Sequence, residues 1–448
     1  MTSRLHWLFV LFAVPLVLFL ALRTPAFQSP DEDNHFYRAW QIAHGGLFSG
    51  GGAYVDSGIL QLWNCVDKLP FKSQSHLTPA NIACERAVTW SGQLIYRPFP
   101  NTAAYFPACY IPQSLAILIG RALGIGVLNT LFLARISNGI VCIAICAFAL
   151  SICRRGGILI FVALLLPMTL SLFASASQDA LLIALACLAF CLISRQVDRN
   201  SPFPPRDSAI VFIALFIISL ARPTNAALGL VFFIPGLFFA KSARRWRLTA
   251  FTLTALIVVF TAAWWGAAIA AQRNSAHTYV PTSFHSDPKL QLAFLLHHLG
   301  VVPSLLSSMA QQTGLYIAST IGLLGWLDTP MPAPYYFAML LILALAAIAE
   351  LADTRPIPRS ATGIILFSIA VNTAGVFLSS YLMFSPVGST GLYGMQGRYF
   401  IPLIVAAACA LPSVGNSPKF RERVIAIVVL AQLLTAIVLP QVIAARYY

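Results

Sequence analysis

The sequence predicts an all-α integral membrane protein, and three observations carry that prediction. Of the 448 residues, 58% are hydrophobic and only 9% are charged. Mean hydropathy is +0.79. Apolar runs of about 18 residues or more recur along the chain, each long enough for a helix to cross a hydrocarbon layer. A soluble chain of this length carries far more charge.

The net charge of +14 would suggest nucleic acid for a soluble protein. Here it fits Lys- and Arg-rich cytoplasmic loops together with anionic lipid or phosphate ligands. No nucleic-acid motif is visible, so nucleic acid is not an expected partner. Of nine cysteines, most lie in apolar spans, where Cys behaves as a small hydrophobe. Cys65 and Cys84 lie in a polar loop and form a disulfide candidate if that loop is extracytoplasmic.

Leu5–Leu22 is the first span. A signal peptide would look similar at its weakly basic start, but this run is long, shows no clear cleavage site and precedes many further spans. It enters from the cytoplasm, which leaves the N-terminus inside. Residues 23–128 then form a first extracytoplasmic loop far longer than an ordinary connection. Within it, Tyr105–Leu123 is apolar enough to span, yet a crossing there would put Arg154 and Arg155 outside. It therefore reads as an interfacial helix. The following spans are Leu131–Ile152, Gly157–Phe173 and Asp179–Ser194, with Arg195, Arg199 and Arg206 inside.

Two half-length segments, Ala209–Ala221 and Thr224–Ala240, meet outside at Arg222-Pro223. Lys241, Arg244, Arg245 and Arg247 lie inside. Leu248–Ala271 leads to a second large extracytoplasmic segment, residues 272–333. Pro334–Leu351, Ala361–Phe384, Tyr399–Leu411 and Val424–Ala444 complete the bundle, with Arg355, Arg359, Lys419, Arg421 and Arg423 inside. The total is about eleven spans with every short basic loop on one side. No internal repeat or linker divides the chain, so residues 1–448 form one polytopic domain.

Ser29-Pro30-Asp31-Glu32-Asp33-Asn34-His35-Phe36-Tyr37-Arg38 stands out in this apolar chain. Three of its 14 acids are adjacent here. Two readings apply and are compatible. Ser29 and Glu32 have capping-box spacing, Pro30 suits a first helical turn, and Gly45-Gly46 closes the helix. Alternatively, Asp31, His35 and Arg38 share one helix face and could hold a substrate hydroxyl, a metal or a phosphate.

Further candidates follow in order. Asp179 is either a helix cap or an ionisable group poised at a membrane boundary. Arg222 lies at a break between half-spans, where a cation either lines a cavity or snorkels. Gly325-Trp326-Leu327-Asp328 suits the interfacial belt. Gln396-Gly397-Arg398-Tyr399 combines close backbone approach with a cation that can grip phosphate, or anchors the chain at the interface. His285, His297 and His298 have no metal spacing, and no zinc-protease, nucleophile-elbow or P-loop motif occurs.

These motifs, together with Tyr105, Pro107, Tyr110 and Pro112, resemble the bacterial membrane family catalogued as domain of unknown function 2142, over nearly the whole chain. That family in turn resembles the C-type glycosyltransferases (GT-C). These are polytopic enzymes with an Asp-Glu motif after the first span, which take a sugar from a polyprenyl-phosphate carrier outside the membrane. The resemblance implies a GT-C-like fold, a bacterial inner-membrane location and a role in cell-envelope polysaccharide. Asp31 would be the general base, with Glu32 or His35 orienting it and Asp179 as a second acid. Arg398 and Arg222 would hold the lipid phosphate, with Arg38, Asp328, Gln396 and Tyr399 as further binding residues. The family often has Lys where this chain has Arg222; Arg keeps the charge but changes the geometry. A divalent metal is compatible with the acids but not called for. The alternative is a transporter, flippase or accessory protein of lipid-linked glycan assembly. Internal repeats and acids buried mid-span, which favour a transporter, are not seen.

Overall fold

The computed structural model describes residues 4–199, 203–237, 243–273, 287–353, 357–415 and 417–448. Lys241, His285 and Arg355 lie outside the described residues. Among the described residues, seven helices are long and apolar enough to cross a membrane: Leu5–Arg23, Val127–Ile152, Asp179–Val197, Arg245–Gln272, Ala333–Leu351, Arg359–Phe384 and Pro418–Tyr447. Pro288–His297 and Leu299–Gln311 make an eighth if they count as one span, but they meet at 93°.

The expectation of about eleven full spans is therefore not met as uninterrupted helices. Residues 157–173 form two short helices, Gly157–Leu164 and Pro167–Phe173. They are apolar all round because they are buried on every side. Pro205–Ala221 is 17 residues long, Pro223–Phe233 is a 3₁₀ stretch, and residues 397–410 divide into a 3₁₀ turn and the helix Ile401–Ala410. Proline stands first or second in four of these six pieces, since it lacks the N–H that would continue a preceding helix.

The long first loop is a folded cap rather than a tether. The surface helix Glu32–Ala43 packs on Ile111–Ala122. The latter has 12 residues, about 18 Å of helix, too short for a crossing. Its Ile111, Leu115 and Ile119 are exposed while Gln113, Ala116 and Ile117 are buried, so one apolar face is turned outward.

An antiparallel pair of strands, Gly52–Asp56 and Leu94–Pro98, brackets the helices Ser57–Asn64 and Pro79–Ala87. Asp56 closes this unit: its carboxylate accepts from the backbone N–H groups of Gly58, Ser91 and Gly92 at 2.8–2.9 Å. Cys65 and Cys84 are joined by a disulfide with Cα atoms 5.7 Å apart. The chain's C-terminal residues lock the cap from below, with Leu77 N–H donating to the Tyr447 carbonyl at 2.8 Å.

Candidate functional site

Asp31 sits one residue before the surface helix rather than inside it. Its φ is +57°, a left-handed conformation that costs energy for a residue with a Cβ and persists only when the surroundings enforce it. No side-chain cap forms there, so the expected capping box is absent. Asp31 instead leaves the helix face that His35 and Arg38 occupy. Its Oδ2 accepts from Nη2 of Arg398 at 2.9 Å, and its Oδ1 from Nδ2 of Asn101 at 3.3 Å.

Arg398 comes from the 3₁₀ turn Gly397–Phe400. Gly397 makes this approach feasible. A Cβ there would lie 1.9 Å from the Tyr316 carbonyl oxygen and 2.5 Å from the Thr320 nitrogen. Its N–H donates to Ser319 Oγ at 2.8 Å and its carbonyl accepts from Thr320 Oγ1 at 3.0 Å. The guanidinium delivered in this way also lies 3.4 Å from Asp179 Oδ2 through Nε. Asp179 opens the helix Asp179–Arg199, and its Oδ1 accepts from Nη2 of Arg222 at 2.8 Å. Arg222 sits at the junction of Pro205–Ala221 and the 3₁₀ stretch. Its guanidinium lies 4.1 Å from the centre of the Tyr399 ring, a cation–π contact.

Four segments distant in sequence therefore supply one alternating chain, Asp31–Arg398–Asp179–Arg222. Its two ends are the more open and its middle is buried: the Asp31 side chain is 32% exposed and that of Arg222 18%, against 3% for Arg398 and 7% for Asp179. Arg398 Nη1 is buried without a hydrogen-bond partner. The chain thus combines an accessible carboxylate edge with two guanidiniums, one of which keeps an unused donor.

His35 lies behind this chain. Its Nδ1 is 2.7 Å from the Tyr110 hydroxyl and its Nε2 is 3.3 Å from Ser177 Oγ. Ser177 Oγ in turn accepts from the Asp179 N–H at 3.1 Å. Burial drives the His35 pKa down to about 4, so the ring is neutral near pH 7 and positions Asp179 through Ser177.

The remaining expected residues lie elsewhere. Glu32 points away from Asp31 and is fully buried against Arg135, with bonds of 2.8 and 2.6 Å. Arg38 donates to Gln41 Oε1 at 2.5 Å and to the carbonyls of Leu47 and Tyr105 at 2.7 and 3.0 Å. It ties loop to loop. Asp328 pairs with Arg446 at 2.8 Å, and Arg446 also reaches the carbonyls of Ser75 and Leu69. Gln396 contributes its carbonyl, which accepts from the Tyr399 N–H at 3.3 Å. His298 bonds to the Phe294 carbonyl on its own helix. Among the described residues, no three of His, Cys, Asp and Glu are grouped as a metal ion would need.

Arg135 was missed from sequence, although an arginine inside an apolar span is itself a signal. Besides Glu32 it donates to the carbonyls of Ala21, Thr24 and Pro25 at 2.7–3.0 Å. Asn101 and Ser177 carry no comparable signal.

Comparison with curated proteins gives no match, and comparison with solved structures gives none. The model of one family, described as a predicted membrane protein (DUF2142), matches residues 8–407, and the chain belongs to that family.

Proposed function

We propose that the protein is a GT-C-like glycosyltransferase. It moves a sugar from a polyprenyl-phosphate carrier to a cell-envelope glycan or lipid at the outer face of the bacterial inner membrane. The observation that carries this reading is the alternating chain Asp31–Arg398–Asp179–Arg222. Two guanidiniums at one end of a helical bundle suit a phosphate arriving from the bilayer. A partly exposed carboxylate beside them suits a proton acceptor.

In this reading the carrier phosphate is held by Arg398 and Arg222, the unused Nη1 donor of Arg398 adding one contact. The acceptor hydroxyl gives its proton to Asp31 as its oxygen attacks the anomeric carbon. The new C–O bond forms opposite the phosphate, the old one breaks, and its electron pair leaves on the phosphate. Configuration inverts. The leaving group is a stabilised anion, so no strong acid is required. Asp179 orients both arginines, and His35 positions Asp179 through Ser177. The GT-C-like plan, with a cytoplasmic N-terminus and the half-length segments completing further crossings, belongs to the same reading.

The test is purified protein in lipid nanodiscs with undecaprenyl-phosphate-linked radiolabelled glucose, scored by release of carrier phosphate. Asp31→Asn is expected to lower release by about a hundredfold or more. Intact release by a folded Asp31→Asn protein rules out the base role. Carrier binding by the wild type without release points to a transporter or a carrier-binding accessory instead.

A further inference from the structure

The segment that reaches Asp31 through Asn101 also runs past the next acid. Strand Leu94–Pro98 leads into the short helix Pro100–Ala103; the short helix packs on the surface helix, and the strand reaches it through Arg97. Arg97 holds its guanidinium 5.7 Å from the centre of the Tyr37 ring, Phe99 stacks on the same ring at 6.2 Å, and Thr102 Oγ1 donates to the Asn34 carbonyl at 3.0 Å. Tyr37 is one helical turn after Asp33, so their side chains share a face.

Asp33 Oδ1 and Arg97 Nε are buried here without a hydrogen-bond partner at ordinary distance, and the Tyr37 hydroxyl has only the Arg97 guanidinium beside it. Tyr37 is only 1% exposed. Buried polar atoms are normally satisfied, and each exception costs stability. Such exceptions at Asp33, two positions from Asp31, and at Arg97, on the segment that meets it at Tyr37, mark a place kept polar for a ligand.

We propose that Asp33, Tyr37 and Arg97 form a subsite for a neutral polyhydroxylated molecule, whose hydroxyls supply the missing partners. An acceptor oxygen from the ligand serves the N–H of Arg97, and a ligand hydroxyl donates to Asp33. The phenol donates or accepts as the ligand requires. An anionic ligand fits poorly, because the Asp31 carboxylate already sets negative charge beside Asp33. Burial raises the Asp33 carboxyl to about 7, so near neutrality it offers both a donor and an acceptor form. Under the transferase reading this ligand is the sugar acceptor, held with one hydroxyl at Asp31. That assignment rests on the reading above, whereas the subsite itself does not.

Saturation-transfer NMR on the full protein in nanodiscs tests this, with methyl β-D-glucopyranoside as probe and glucuronate as its anionic counterpart. The glucoside is expected to receive saturation from the wild type. The signal should fall about tenfold in Asp33→Asn and Arg97→Gln. Tyr37→Phe, which keeps the ring packing, should weaken it less. A signal unchanged in Asp33→Asn and Arg97→Gln, no signal from the wild type, or a preference for glucuronate overturns the proposal. Glucoside binding by a protein that never releases carrier phosphate sustains the subsite and rejects the transferase.

Discussion

Asp31 and Glu32 are neighbours in the chain and opposites in environment. Glu32 is sealed: its carboxylate takes two bonds from Arg135 and one from the Ala176 N–H at 3.0 Å, with no exposure on either side chain. Arg135 spends its other donors on three backbone carbonyls. The pair pins the end of the first span to Val127–Ile152 and to the loop before Asp179. Asp31 is open, with one arginine, one long contact to Asn101 and an exposed edge. A fully satisfied pair has nothing left to offer a substrate, whereas a partly satisfied one does. The difference teaches which acid of the Asp-Glu motif can do chemistry and which holds the bundle together.

The sharpest way to break this comparison is to neutralise each acid. Glu32→Gln leaves Arg135 as an unpaired buried charge, which costs about 3–5 kcal/mol. It should lower the melting temperature of the purified protein markedly and deplete it from membranes. Asp31 is partly exposed and Arg398 keeps Asp179 as a partner, so Asp31→Asn should cost less, about 1 kcal/mol. Equal losses in thermal melts of the two variants would erase the distinction.

The cap that carries both acids can be loosened independently. The disulfide closes a loop between positions 19 apart in sequence, and such a closure is worth about 2–4 kcal/mol. Cys65→Ser with Cys84→Ser should lower the melting temperature without altering the Arg135 pairing. Carrier-phosphate release, if present, should persist below the new melting temperature. Complete loss of release in protein shown to be folded would make the cap part of the chemistry.

A smaller effect concerns the cations. Arg398→Lys keeps the charge but cannot contact Asp31 and Asp179 at once from a planar fork. Binding of undecaprenyl phosphate should weaken by about 1–3 kcal/mol, with little change in melting temperature. The conservative change at Arg135, Arg135→Lys, should do the reverse: it loses bonds to Glu32 and three carbonyls, so stability falls more than lipid binding.

Much of this was legible from residue type, and the exceptions have physical causes. The long spans stand out because hydropathy sums apolar residues. The same sum is blind to breaks, so residues 157–173 read as one span although Pro167 starts a new helix. Asp179, Arg222, Arg398 and Tyr399 were singled out as rare polar groups at span ends, and they do meet. The close approach at Gly397 is legible from residue type, whereas the order of pairing, Arg398 between Asp31 and Asp179 with Arg222 beyond, depends on how the segments pack. Arg38 was placed with Asp31 by helical spacing. That spacing fails because the helix begins at Glu32 and Asp31 adopts a left-handed turn before it. A carboxylate near a helix start suits both a cap and a site, and periodicity cannot separate them.

Asp33 completes the comparison as a third acid, neither sealed nor openly paired. Burial opposes its charge, joined by the repulsion of Asp31, while Arg97 and nearby backbone N–H groups favour the charge; the balance sets a pKa of about 7 against a usual 3.8. The groups facing it are Asp31 before it, Tyr37 on its own helix and Arg97 from the neighbouring strand. A carboxyl whose folded pKa is raised favours folding while protonated. That contribution is complete below the unfolded value and is lost as pH climbs towards about 7. Stability of the wild type should therefore decline between pH 4 and 7 by at most about 1.4 kcal/mol per pH unit from this group. Asp33→Asn has no proton to lose, so it should flatten that decline relative to the wild type in melts at pH 5, 6 and 7. Parallel curves for the two proteins would mean that Asp33 is ionised and solvated in the folded state.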